Sequence, residues 1–225
     1  MSVSRDIGRL LTFRISRKEL LQLNTHHLIT GLIGTWLVGM GRYWDDPGAH
    51  LLQHLGLGSV IYIFILSLFI WLIIKPYFVA PWTYRMVLTF VSLTSFPAAL
   101  YAIPVERFYS MDTAASINVW FLATVAAWRL ALLYYFLRKS TQLGHGYILV
   151  ATLLPVCIII ATLTALNLER AVFAIMGGIR ENTSNDRAYG TLIFLTVLSM
   201  FAAVPLLIGY LIAIYKRWEK TNIER

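Results

Sequence analysis

A chain of 225 residues is long enough for one or two soluble domains, yet 58% of its residues are hydrophobic, only 13% are charged and its mean hydropathy is +0.68. Soluble domains are about 25% charged, so there are too few charges to coat a water-facing surface, and the apolar excess has to face lipid. The net charge of +8 does not point to nucleic acid, because the Lys and Arg residues sit in short clusters between long apolar runs, as in a chain that orients itself against a charged bilayer.

The first 24 residues, MSVSRDIGRLLTFRISRKELLQLN, lack the 7–15-residue apolar core of a secretory signal, so the first membrane helix is expected to act as its own insertion signal. Ser16-Arg17-Lys18-Glu19 is a capping box, and Ile15 and Leu20 occupy the flanking positions of a hydrophobic staple. A short amphipathic helix is predicted to start at Arg17. Its basic and leucine-rich faces suit the cytoplasmic interface, with anionic lipid headgroups as partners; a solvated leader that only sets orientation fits the same residues.

Runs of about 20 apolar residues mark spanning helices. They predict helices over roughly 28–44, 55–74, 86–105, 115–137, 147–168 and 190–215. This divides the chain into a basic N-terminal segment, 1–27, a transmembrane bundle, 28–215, and a basic tail, 216–225.

The charges test that count. With six crossings and a cytoplasmic N-terminus, thirteen basic residues fall inside: Arg5, Arg9, Arg14, Arg17, Lys18, Lys75, Arg85, Arg138, Lys139, Lys216, Arg217, Lys220 and Arg225. Five fall outside, Arg42, Arg107, Arg170, Arg180 and Arg187, and Arg129 lies within a span. The imbalance satisfies the positive-inside rule. The fold class read from this is an all-α integral membrane protein, a polytopic bundle of about six helices with both ends in the cytoplasm. The run 28–44, rich in glycine and ending in Arg42, departs most from a spanning pattern; as a re-entrant hairpin it would change the topology only before residue 50.

Within the first span Gly31, Thr35 and Gly39 recur every fourth residue, a small-residue face that lets another helix approach closely. The neighbour is either a helix of this chain or a second subunit in a homo- or hetero-oligomer. Pro97, Pro155 and Pro205 interrupt three spans, and each frees a backbone carbonyl one turn earlier. Near Pro97, Thr94 and Ser95 carry hydroxyls that can act as substitute donors.

On the outer rim, Asp46 is a natural N-cap and Pro47 a natural first helical residue. The helix they begin would place His50 and His54 one turn apart on the face of Asp46, a set able to hold a divalent metal. The same three residues also read as a polar rim hydrogen-bonding headgroups and water. Glu106, Asp112 and Glu169 are assigned to that rim, where Arg107 and Arg170 adjoin two of them. His26, His27 and His145 raise bis-histidine haem only at the membrane edge, whereas axial ligands to a haem between helices belong within the hydrocarbon.

Arg129 is the charge well inside a span. Intramembrane charges are costly and mark functional positions by default, although arginine also snorkels toward the interface or bonds a neighbouring helix. Cys157, the sole cysteine, excludes a disulfide framework. Asn182-Thr183-Ser184 matches a glycosylation sequon on the outer side.

Three functional readings follow, in order of preference. The first is a non-enzymatic membrane subunit, scaffold or trafficking factor, favoured by compact loops and the lack of a catalytic constellation. The second is a small transporter or channel, favoured by the prolines, Arg129 and the glycine face. The third is a metal-dependent membrane enzyme at the outer rim, using Asp46, His50 and His54. The expected location is a cell membrane, plasma or bacterial inner, with no resident cofactor beyond that rim metal and no nucleic-acid partner.

Overall fold

The computed structural model describes residues 2–41, 55–77, 79, 81–141, 143–166 and 186–223, and every regular element among them is helical. In chain order these are α1 (Val3–Leu11), α2 (Arg17–Leu21), α3 (Thr25–Gly41), α4 (Leu57–Ile74), α5 (Tyr84–Leu93), α6 (Met111–Thr141), α7 (His145–Ala165) and α8 (Asp186–Ile223). Short 3₁₀ segments cover Lys75–Tyr77, Phe96–Ala102 and Val105–Arg107.

Five segments are long and apolar enough to cross a bilayer: Leu57–Tyr77, Tyr84–Ala102, Ser116–Thr141, His145–Ala165 and Ile193–Glu219. In hydrocarbon only a helix satisfies all its own backbone groups, so this is a helical membrane protein. α3 has 17 residues, about 25 Å of helix. It lies along the Tyr84–Ala102 segment from end to end: Thr25 accepts a hydrogen bond from Arg85 (2.7 Å) at one end, and Gly41 packs on Ala102 at the other.

The small-residue face of α3 is filled from within the chain. A side chain on Gly31 would collide with Ser92 of α5, and one on Gly39 with Ser59 of α4. Between them the buried Thr35 hydroxyl bonds the carbonyls of Gly31 (2.8 Å) and Ser92 (3.3 Å). Backbones this close gain dispersion contact that larger residues would prevent.

α5 stops at Leu93, and the chain resumes as 3₁₀ helix at Phe96 with Pro97 in its first turn. The hydroxyls of Thr94 and Ser95 do serve as donors, but both bond the Val91 carbonyl, at 2.9 and 3.4 Å. By contrast α7 and α8 remain helical through Pro155 and Pro205. Only Pro97 sits at a break.

At the N-terminus the predicted capping box is present: Glu19 N–H donates to Ser16 Oγ (3.3 Å) and Ser16 N–H to Glu19 Oε2 (2.8 Å). The Ser16 amide, then its hydroxyl, hold the Glu19 carboxyl below the usual carboxylate range, and Arg9 pairs with it. Ile15 and Leu20 are fully buried, each burial worth about 1.5–3 kcal/mol, so this segment is packed structure rather than a solvated leader. α1, not foreseen from the sequence, folds beside it. Trp128 donates its indole N–H to the Leu11 carbonyl (3.0 Å) and Tyr135 its hydroxyl to that of Ile15 (2.7 Å), which fastens the α1–α2 hairpin along α6.

The ends rich in Lys and Arg gather at one end of the bundle. Arg85 meets Thr25, Tyr135 meets Ile15, Arg138 meets His145, and Tyr210 of α8 donates to the Ile73 carbonyl (2.7 Å) beside Lys75.

Candidate functional site: an apolar cavity with one guanidinium

Residues 119–133 of α6 and 155–164 of α7 face a common space that is also lined by α4, α5 and α8. The result is a cavity of about 480 Å³, within the range of pockets that hold small organic ligands. Leu66, Ile70, Leu133, Val156 and Ile159 make its walls chiefly aliphatic. On one side the floor is the Phe90 ring, stacked at 4.0 Å on the buried Phe136.

The break after α5 brings Thr94 and Tyr101 to the wall, and α7 and α8 contribute Thr164 and Thr196, whose hydroxyls lie 3.5 Å apart. Thr164 also donates to the Ile160 carbonyl (3.0 Å), so its proton is already used within α7.

Arg129 is the one charged residue on this wall among the described residues. It lies near the middle of the Ser116–Thr141 span, nine residues or roughly 13 Å from Arg138. Among the described residues its guanidinium has no hydrogen-bond acceptor and no carboxylate partner; the ion pairs there are Arg5–Asp6, Arg9–Glu19 and His27–Asp6. A charge at mid-membrane costs about 2.5–3.5 kcal/mol on insertion scales. Of the roles weighed from the sequence, an interhelical bond is not formed among the described residues. What the geometry leaves is a fixed positive charge facing an apolar space.

Asp46, His50 and His54 lie outside the described residues, as do Glu169 and the Asn182 sequon. Among the described residues no group of three or more His, Cys, Asp or Glu side chains is placed to hold a metal ion. Two of the other three histidines have their rings engaged by protein: buried His27 by Asp6 and Asn24, and His145 by Tyr134 (2.7 Å) and Arg138. Cys157 is buried in α7.

No family model matches the chain, and neither does any curated protein or solved structure. The function has to be argued from the cavity itself.

Proposed function

We propose that the chain is a non-enzymatic membrane protein that binds, within its helical bundle, an amphiphile bearing an oxyanion, and so acts as a carrier or trafficking factor for that molecule. The observation that carries this reading is the Arg129 guanidinium, without a partner among the described residues, on a cavity wall that they make otherwise uncharged and largely aliphatic. A carboxylate or phosphate supplies the acceptors that arginine lacks, in a fork geometry suited to two parallel bonds. An alkyl chain fills the aliphatic remainder. A water-soluble anion would leave those walls without contacts, and a neutral lipid would leave the charge alone.

The test is native mass spectrometry of the purified protein loaded with oleate, lysophosphatidate or monoolein. Wild type is expected to retain the two anionic probes over monoolein. Arg129→Leu should lose that preference by about 10–100-fold, the equivalent of one or two charge-assisted hydrogen bonds, and Arg129→Lys should keep part of it. Equal retention of monoolein, or an unchanged Arg129→Leu, sinks the reading.

We also infer six crossings with both termini in the cytoplasm, in a plasma or bacterial inner membrane. The gathering of basic residues at one end of the bundle supports this, and so does the full-length pairing of α3 with the Tyr84–Ala102 segment. Single cysteines at positions 14 and 217, in a Cys157→Ser background, should both react with an impermeant maleimide only from the cytoplasmic side. Labelling from opposite faces would mean an odd number of crossings.

A further inference from the structure

The cavity is sealed and open in different directions. Toward the basic end it meets Leu133 and the Phe90–Phe136 stack, with Leu132 and Leu137 fully buried behind them. Toward the side it does not close. Among the described residues, Ala123 and Ala126 of α6 line the cavity and are exposed, and Tyr62 and Leu195, two other wall residues, are 49% and 41% exposed.

The surroundings of that opening are apolar. Trp120 is 73% exposed and Phe201 78%, on spans whose exposed large side chains are chiefly aliphatic and aromatic. The medium outside is hydrocarbon rather than water. On α6, Ala126 precedes Arg129 by three residues and Ala123 precedes Ala126 by three, so each neighbours the next along the helix surface. Alanine is the smallest side chain that still supports a helix, and at these two positions it leaves a gap beside the charge.

Resting on the reading of Arg129 as an oxyanion site, we propose that the ligand enters sideways from the bilayer over Ala123 and Ala126. Its oxyanion reaches Arg129 while its alkyl chain trails through this opening into the lipid. The charge complementarity is with Arg129, and the apolar rim accepts the chain. A ligand held in this way never crosses bulk water between membrane and site, and its chain length is unconstrained beyond the rim.

The experiment uses full-length protein in vesicles of neutral phospholipid, with oleate and lysophosphatidate as separate probes and bound ligand read by native mass spectrometry after extraction. Ala126→Trp should fill the opening and lower occupancy by at least about tenfold. Ala127→Trp is the control: it adds the same ring to the neighbouring exposed position, which does not line the cavity, and should leave occupancy unchanged. If Ala126→Trp does not fold, as judged by circular dichroism and melting, Ala123→Trp takes its place.

Wild-type occupancy in both tryptophan variants, with Arg129→Leu still empty, overturns the lateral route and leaves the arginine site standing. Loss in Ala127→Trp equal to that in Ala126→Trp also overturns the route. An empty wild type with both probes removes the arginine site itself. A difference between the probes identifies the head as carboxylate or phosphate.

Discussion

Asp6→Leu is expected to lower the stability of the folded protein by about 1–3 kcal/mol, the cost of leaving a buried polar group without its hydrogen-bond partner. Asp6 and His27 are 2% and 3% exposed, and Asp6 Oδ2 lies 3.3 Å from His27 Nε2. On its other side the ring meets Asn24 Oδ1 at 2.9 Å. That atom is fixed as oxygen because it also faces the amides of His26 (3.0 Å) and His27 (3.4 Å) as the cap of α3. The imidazole is therefore held between a carboxylate from α1 and the first turn of α3. With leucine at position 6, its Nε2 faces an apolar side chain where water has no room.

Denaturant titration in micelles, followed by tryptophan fluorescence, measures the loss. The double variant Asp6→Leu/His27→Leu should recover part of it, since well-packed apolar groups often replace a buried pair at little cost. A single-variant loss below about 1 kcal/mol, or strictly additive losses in the double, would show that the two residues are not coupled.

Gly56→Ala is expected to cost about 2–5 kcal/mol. Gly56 has φ of +68°, a left-handed conformation that charges an alanine roughly 1–2 kcal/mol. A Cβ there would also stand 2.7 Å from the Trp36 carbonyl oxygen and 2.8 Å from the Met40 amide nitrogen, both backbone atoms of α3. Relieving such an overlap adds about 1–3 kcal/mol, because a helix has to move rather than a side chain turn. The same corner is held by Trp36, whose indole N–H donates to the Leu55 carbonyl (2.8 Å). Gly58, two residues on and inside α4, has nothing within 4 Å of its Cβ position. Gly58→Ala should therefore melt at or slightly above the wild-type temperature, and equal melting of the two variants would refute the argument for position 56.

The five described spans lie close to the last five of the six read from hydropathy, and they differ at the ends for a physical reason. An apolar window measures the stretch that suits hydrocarbon, whereas a helix continues as long as its backbone stays bonded. α6 runs past the predicted 137 to Thr141, with Ser140 and Thr141 donating to the carbonyls of Phe136 and Leu137. The capping box at Ser16 was legible because it is a local, reciprocal exchange between residues three apart. α1 has its own sequence signal, Val3, Ile7, Leu10 and Leu11 at helical spacing.

Its docking could not have been read. Two of its attachments are backbone carbonyls, which every residue has, and the third joins residues 21 apart in the chain. Arg129 stood out in the sequence as an intramembrane charge. The cavity beside it did not, because an opening between α6 and α7 belongs to their mutual placement rather than to either sequence.

The α1–α2 hairpin carries a consequence for biosynthesis. Trp128 and Tyr135 stand 117 and 120 residues after the carbonyls they bind. At synthesis rates of about 5–20 residues per second, the hairpin waits roughly 6–25 s after its own emergence before its partners exist. During that interval Leu10, Ile15 and Leu20, all buried in the finished protein, have only the membrane surface or a chaperone to cover them. The first residues made are thus among the last to settle, and the final closure of the N-terminus reports that the central span has been inserted.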